Sequence, residues 1–145
     1  MDVNDHTAIQ AAIRPETRLL FCESIGNPGL DIADIPALAA IASGTRIPLV
    51  VDATFATPAL QNPLTLGAHV VVHSLTKWIG GSGNAMGGAI IDGGNFDWGR
   101  AAGRFPTLTE PYAPFHGINF WEEFGPAALT AMVKQPLPAF RPRPS

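Results

Sequence analysis

Two hydroxyls and one amine follow an apolar β-branched run in the middle of the chain. The run Val-Val-Val at residues 70–72 precedes Ser74, Thr76 and Lys77, and a glycine-rich segment follows at residues 80–88. Hydroxyls and the backbone N–H groups of a glycine-rich turn can hydrogen-bond a phosphate. A lysine removed from water favours its neutral form, which condenses with aldehydes. The spacing predicts a site for a phosphorylated aldehyde carried by Lys77; the alternative is a solvated lysine in a surface turn.

A carboxylate at the end of a second apolar run narrows this hypothesis. Asp52 ends the stretch Leu-Val-Val-Asp at residues 49–52. A carboxylate beside a buried strand is costly unless it is paired, and a protonated pyridine nitrogen is a suitable partner. On neighbouring strands, Asp52 and Lys77 would hold opposite ends of one ring, which favours pyridoxal phosphate as the cofactor. For Asp52 alone, an aspartate that caps a turn is the alternative.

Other cofactor classes fit the sequence less well. The glycine segment lacks the third glycine of a dinucleotide fingerprint, and no Gly-Lys-Ser or Gly-Lys-Thr triplet indicates a nucleotide phosphate loop. His69 and His73 have a spacing that suits a metal on a helix, but the valines between them predict a strand, so no metal site is expected. Four aromatic residues are interpreted as core or interface residues: Trp78, Trp98, Trp121 and Phe120.

The composition is typical of one globular domain. With 46% hydrophobic and 14% charged residues, the 145-residue chain has enough apolar surface for a core. The net charge of -3 and the scattered basic residues argue against nucleic-acid and membrane partners. No apolar run approaches the ~20 residues of a membrane span, and no signal peptide is visible. The single cysteine, Cys22, is predicted in a buried strand, so we expect a reducing, cytoplasmic setting.

The order of apolar runs and turn residues predicts an α/β fold with a mostly parallel sheet flanked by helices. Strands are expected at residues 18–23, 49–52, 70–72 and 87–91, and helices at residues 5–13, 34–45 and 119–133. Glu23, Asp52 and Ser74 then stand at the carboxyl ends of strands, where such sheets bind ligands. Residues 92–117 are predicted to be a loop that packs on something or caps a site.

Four motifs in a fixed order give the chain a family resemblance. They are Glu-Ser-Ile-Gly-Asn-Pro-Gly at 23–29, Val-Val-Asp-Ala-Thr-Phe-Ala-Thr-Pro at 50–58, Val-His-Ser-Leu-Thr-Lys-Trp-Ile-Gly-Gly at 72–81 and Phe-Pro-Thr-Leu-Thr-Glu-Pro at 105–111. From about residue 14 to about residue 130 the chain resembles the Cys/Met-metabolism, pyridoxal-phosphate-dependent family. Residues 116–120 and 123–127 are most similar to its O-acetylhomoserine sulfhydrylase branch. The resemblance implies the central part of the large domain of an aspartate-aminotransferase-type, fold type I enzyme.

The resemblance also implies a role for each matching residue. Lys77 would carry the cofactor and shuttle protons, and Asp52 would pair with the pyridine nitrogen. Asn27 would hydrogen-bond the ring hydroxyl, while Ser74 and Thr76 would bind the phosphate. The implied reaction replaces a γ-substituent, giving homocysteine and acetate from O-acetylhomoserine and sulfide. A cystathionine γ-synthase or γ-lyase relative and a non-catalytic remnant are the alternatives.

Two departures from the family limit what carries over. Ala53 follows the strand-end aspartate, where the family commonly has asparagine. Family members are also much longer, so the resemblance implies that residues 1–134 are a partial cofactor domain. Missing are an upstream phosphate loop, a ring-stacking tyrosine, groups lent by a partner subunit and a carboxylate-binding arginine. The proline-rich residues 135–145 predict an extended tail that does not resemble the family. The resemblance also implies that a full-length protein would be a homo-oligomer, which is a tetramer in the family.

Overall fold

A four-stranded sheet organises the first part of the chain. The strands are Leu20–Glu23 (β1), Leu49–Asp52 (β2), Val70–Ser74 (β3) and Gly88–Asp92 (β4). They lie in the order β1, β2, β3, β4; the first three are parallel, and β4 is antiparallel to β3. Residues 75–87, between β3 and β4, form turns without a helix, so no crossover carries the chain back for a parallel pairing.

The computed structural model describes residues 2–135, which divide into two compact units between residues 93 and 94. The first unit contains the sheet, and the second contains short helices. This division falls inside residues 1–134, the range interpreted above as one partial cofactor domain. The predicted tail lies outside the described residues from residue 136 onward. No helix within residues 2–135 has the length and apolarity to cross a membrane.

Two capped helices accompany the sheet in the first unit, as predicted. They are His6–Ala12 (α1) and Ile35–Thr45 (α2), and their N-caps are Asp5 and Asp34. Each aspartate accepts a hydrogen bond from the backbone N–H three residues ahead, at 2.9 and 3.1 Å. Such a cap contributes about 1 kcal/mol. The buried face of α2 is the predicted one and consists of Ile35, Leu38, Ala39 and Ala42.

The helix α2 ends at Thr45, within residues 43–45, where the stop was predicted. The helix continues through the glycine there, and Arg46 takes a left-handed conformation with φ 56°. The N–H of Ile47 then donates to the Ala42 carbonyl at 3.0 Å, as in a Schellman motif. Glycine is the residue usually found at such a left-handed position. Here the full burial of Ile47 favours the left-handed conformation of Arg46.

The core of the first unit is almost entirely aliphatic. Its buried members join α1, α2 and one face of the sheet: Ile9, Cys22, Ala33, Ile35, Leu38, Ala39, Ala42, Ile47, Leu49, Val51, Ala53, Ala68 and Val71. A short helix, Thr57–Leu60 (α3), and a 3-10 turn, Pro63–Leu66, connect β2 to β3. The burial of Cys22 confirms the prediction that it lies in a buried strand.

The second unit has an aromatic core. Its helices are Pro106–Thr109 (α4), Phe120–Phe124 (α5) and Ala128–Val133 (α6). The loop predicted at residues 92–117 is therefore partly helical and packs on aromatic side chains of its own unit, such as Trp98 against Phe105 with ring centroids 5.0 Å apart. A 3-10 turn at Gly125–Ala127 interrupts the last helix, as the Gly-Pro pair predicted.

The aromatic residues divide between core and surface. Trp98 and Phe120 are core residues, as interpreted from the sequence, and Trp121 is half-buried against the same cluster. Trp78 is 64% exposed and does not belong to a core. It lies directly after Lys77, so its position concerns the candidate site rather than packing.

Candidate active site

The carboxyl ends of the three parallel strands meet at one cleft. Glu23, Asp52 and Ser74 are the last residues of β1, β2 and β3. The pairing register sets Glu23 beside Asp52 in the sheet. The adjoining cleft has a volume of about 560 Å³ and is lined by residues of the first unit. All five residues predicted from sequence line it: Asn27, Asp52, Ser74, Thr76 and Lys77.

Asp52 offers one engaged and one available oxygen. Its Oδ1 accepts the Thr54 N–H at 2.8 Å, so the turn-capping role considered from the sequence accounts for this atom. Within the described residues, Oδ2 has no hydrogen-bond partner. The side chain is half-buried, which strengthens its interaction with a positive group. Asp52 therefore caps a turn and still presents an acceptor to the cleft.

The two predicted phosphate-binding hydroxyls differ in their surroundings. Thr76 Oγ1 accepts the Gly87 N–H at 3.1 Å and lies 3.4 Å from the Gly87 carbonyl. Ser74 Oγ has no partner among the residues that the structure describes. Thr76 thus helps to hold the turn onto β4, whereas the Ser74 hydroxyl is available to a ligand.

The Lys77 amine is also available, but it is not desolvated. The side chain is exposed, and within residues 2–135 its amine has no hydrogen bond or ion pair. This differs from the expectation that burial would favour the neutral amine. Residues 77–88 are exposed throughout, so this part of the chain does not cover the lysine.

The turn that carries Lys77 is closed by backbone hydrogen bonds. Lys77 N–H donates to the Ser74 carbonyl at 3.3 Å, and Gly81 N–H donates to the Lys77 carbonyl at 2.9 Å. A Cβ added at Gly80 would lie 2.6 Å from the Leu75 carbonyl oxygen, closer than contacts allow. At this position glycine lets the backbone pass close to the lysine turn.

Residues that the sequence reasoning did not assign to the site complete the cleft. Glu23 Oε2 accepts the Asn27 N–H at 3.0 Å and so anchors the loop that carries Asn27. Phe55 and Trp78 form an edge-to-face pair with ring centroids 5.7 Å apart. Thr54 Oγ1 accepts the Ser74 N–H at 2.8 Å. A hydroxyl two residues after a strand-end aspartate was the available signal for Thr54.

His69 and His73 are both buried in the first unit. His69 Nδ1 accepts the Leu49 N–H at 2.9 Å, so this nitrogen is unprotonated, and burial lowers the pKa of His69. His73 is buried on β3. Within residues 2–135, no three His, Cys, Asp or Glu side chains are grouped closely enough to hold a metal ion.

A second cleft, of about 690 Å³, lies beside α1 and β1 and does not contain the predicted chemistry. It is lined mainly by apolar residues and by the carboxylates of Asp2, Glu23 and Asp31. Its lining includes no lysine or arginine. Although it is the larger cleft, it offers neither an amine nor cations for a phosphorylated aldehyde.

Three known proteins are similar to this chain in sequence or in structure. The O-acetyl-L-homoserine sulfhydrylase of Leptospira meyeri is 47% identical over 125 residues, which cover 86% of this chain and 28% of that protein. A Campylobacter jejuni structure that contains N'-pyridoxyl-lysine-5'-monophosphate is 30% identical with a TM-score of 0.81, covering 92% of this chain and 33% of that one. The cystathionine γ-lyase of Lactobacillus plantarum, complexed with L-serine, is 38% identical with a TM-score of 0.62, covering 63% and 24%.

These matches confirm the predicted α/β fold class and the predicted family. The chain spans less than a third of the length of the curated relatives it matches. Residues 1–119 match the family described as Cys/Met metabolism PLP-dependent enzyme. This chain therefore belongs to the Cys/Met metabolism family of pyridoxal-phosphate-dependent enzymes.

Proposed function

We propose that this chain provides the cofactor lysine of an enzyme that makes homocysteine from O-acetylhomoserine and sulfide. One observation supports this most: Lys77, Asp52 and Ser74 line a single cleft and each presents a group without a partner in the described residues. The 47% identity to an O-acetyl-L-homoserine sulfhydrylase supports the choice of reaction. Because the chain spans less than a third of that relative, the proposal concerns the part that these residues play.

The cleft suits pyridoxal phosphate in size and in chemistry. Its volume of about 560 Å³ is within the range of small-molecule sites, about 300 to 1,000 Å³. The Lys77 amine would hold the aldehyde carbon, Asp52 Oδ2 would accept from the ring nitrogen, and Ser74 Oγ would donate to the phosphate. Thr76 would add a second hydroxyl, and Asn27 would hydrogen-bond the ring hydroxyl.

Lys77 and Asp52 would have different roles in a γ-replacement. The bound cofactor supplies an electron sink for negative charge on the substrate carbons. Lys77 Nζ would hold the cofactor and would take and return protons at those carbons. Asp52 Oδ2 would keep the proton on the ring nitrogen of the bound cofactor, because a carboxylate favours the cationic form of its partner. Acetate leaves with the electrons of the broken C–O bond, and sulfide forms the new C–S bond.

A cystathionine γ-lyase activity is the second candidate. The 38% identity to a cystathionine γ-lyase structure favours it, but that match covers 63% of this chain, against 86% for the sulfhydrylase that is 47% identical. Either reaction would use Lys77 and Asp52 in the same way. A cytoplasmic location is also proposed, and the single buried cysteine supports it. A full-length protein of this kind would form a homo-oligomer.

Product analysis separates the two reactions. The chain is incubated with pyridoxal phosphate and either O-acetylhomoserine plus sulfide or cystathionine, and homocysteine, acetate and 2-oxobutyrate are quantified. We expect homocysteine and acetate in equal amounts from the first mixture, and none with Lys77→Ala. Lys134→Ala, which removes the only other lysine of the chain, is the matched control and keeps the activity. Turnover of cystathionine alone would favour the lyase, and cofactor binding without turnover would favour a non-catalytic remnant.

A further inference from the structure

Three hydrogen bonds connect the carboxylate of Asp52 to the lysine turn, and Thr54 makes two of them. Thr54 N–H donates to Asp52 Oδ1 at 2.8 Å. Ser74 N–H donates to Thr54 Oγ1, also at 2.8 Å. The Ser74 carbonyl in turn accepts the Lys77 N–H at 3.3 Å. The series therefore runs from the ring-nitrogen partner, through Thr54, to the phosphate-binding serine and the lysine.

The side chain of Thr54 replaces a backbone acceptor at this point. Just after β2, the Ala53 N–H still donates a hydrogen bond to the Val72 carbonyl of β3, at 3.0 Å. The Ala53 carbonyl accepts instead from Thr57 N–H at 2.8 Å, where the chain turns into α3. Ser74 N–H consequently needs another acceptor, and the Thr54 hydroxyl supplies it. One side chain thus sets the spacing between the ends of two strands.

We infer that Thr54 is a positioning residue that aligns the Asp52 carboxylate with the Ser74 hydroxyl, so that the two ends of one rigid ligand are held at once. This inference rests on the proposed function. Thr54 is half-buried and lines the cleft, and both of its hydrogen bonds are short. A bonded side chain between two anchor points fixes their separation better than two independent loops would, because less conformational freedom is lost when the ligand binds.

The inference predicts a specific dependence on ligand structure. Pyridoxal phosphate uses both ends of the cleft, whereas pyridoxal lacks the phosphate and uses only the ring end. Loss of the Thr54 hydroxyl should therefore weaken pyridoxal phosphate much more than pyridoxal. A residue that only stabilises the fold would not distinguish the two ligands.

The test compares Thr54→Val, Thr54→Ser and Thr45→Val in the full chain. Valine keeps the shape of threonine but cannot accept the Ser74 N–H, and serine keeps the acceptor. Thr45 is the matched control: it is a half-buried threonine at the end of α2, away from the cleft, whose hydroxyl donates to the Ile41 carbonyl at 2.8 Å. Affinities for pyridoxal phosphate and for pyridoxal are measured by absorbance titration, and folding is checked by circular dichroism.

We expect Thr54→Val to bind pyridoxal phosphate about tenfold more weakly, with little change for pyridoxal, and Thr54→Ser to restore the affinity. Thr45→Val should change neither affinity. In the absence of cofactor, the Ser74 amide should exchange its hydrogen about tenfold faster in Thr54→Val than in the wild type.

Two results would overturn the inference: equal losses for the two ligands, or an unchanged pyridoxal phosphate affinity in Thr54→Val. A wild-type chain that binds no pyridoxal phosphate would be a different failure. It would refute the proposed function, and the inference with it, whatever the Ser74 amide did.

Discussion

The two faces of the sheet in the first unit carry different residues for different purposes. Successive side chains of a strand point to opposite faces, and the register extends each face across the strands. One face presents Cys22, Val51 and Val71, all buried in the aliphatic core. The opposite face carries Asp52 and Ser74, half-buried at the cleft, and the exposed apolar residues Phe21 and Ile90. The covered face stabilises the fold, and the cleft face leaves polar groups available for a ligand.

The largest expected effect is a loss of stability on the covered face. Leu49→Ala removes a fully buried side chain from β2 and should lower the free energy of unfolding by about 2 to 5 kcal/mol. Phe21→Ala on the cleft face, where the ring is 55% exposed, should cost less than about 1 kcal/mol. Urea unfolding followed by circular dichroism measures both. Equal costs would contradict the assignment of the two faces.

The next effect concerns the cofactor rather than the fold. Asp52→Asn keeps an acceptor for Thr54 N–H but removes the charge that faces the ring nitrogen. Pyridoxal phosphate should bind with about 1.5 to 3 kcal/mol less free energy, roughly 10- to 100-fold in affinity, with little change in unfolding. Glu122→Gln, an exposed charge removed from α5, is the control and should bind normally. An Asp52→Asn chain with wild-type affinity would show that the carboxylate does not contact the cofactor.

A smaller effect separates the two hydroxyls. Ser74→Ala removes a hydroxyl without a partner in the described residues, so affinity for pyridoxal phosphate should fall by about 0.5 to 1.5 kcal/mol while stability is unchanged. Thr76→Val also breaks the contact with Gly87, so both affinity and stability should fall. Paired titration and urea unfolding measure the difference. If Ser74→Ala lowered stability and Thr76→Val did not, Ser74 would be the hydroxyl that holds the turn.

A separate effect, confined to high pH, is expected on the covered face. Burial raises the pKa of the Cys22 thiol from an ordinary 9.0 to about 11. Between these values the unfolded chain has lost the thiol proton and the folded chain has kept it, so the folded state binds more protons. The contribution of Cys22 to stability is therefore complete below about pH 9 and is lost as the pH rises through 11.

Comparison of the wild type with Cys22→Ala isolates this pH effect from other titrating groups. The difference between their free energies of unfolding should be constant below pH 9, and the wild type should lose stability relative to the variant above it. A relative gain by the wild type above pH 9 would mean that the thiolate, not the thiol, is favoured in the folded state.

Much of the first unit could be predicted because local residues determine it. Asp5 and Asp34 are residues that favour the N-cap position of a helix. The apolar runs at residues 49–52 and 70–72 are typical of strands in a buried sheet. Once the strands are parallel, their carboxyl ends must meet, which brings Asp52 and Ser74 to one cleft. Asn27 could be assigned only through the family resemblance, since nothing in its local sequence indicates a contact with a ring.

Other features depend on contacts that a sequence pattern does not reveal. Arg46 takes the left-handed position after α2 because Ile47 is anchored in the core, although a glycine stands two residues earlier. The role of Thr54 arises because the Ala53 carbonyl accepts the Thr57 N–H and not the Ser74 N–H. The exposure of Lys77 contradicts a desolvation argument based on the strand before it, because a turn follows the strand immediately. Residues 96–115 pack through aromatic rings without a periodic pattern.

Borohydride reduction tests the central claim most directly. The chain is mixed with pyridoxal phosphate, reduced, digested and mapped by mass spectrometry at its two lysines, Lys77 and Lys134. Both side chains are exposed, so accessibility alone would label them alike. We predict a phosphopyridoxyl group on Lys77 at stoichiometric cofactor, with Lys134 unmodified, and loss of the label in Lys77→Ala. Equal labelling of the two lysines, or none on Lys77, would contradict the account.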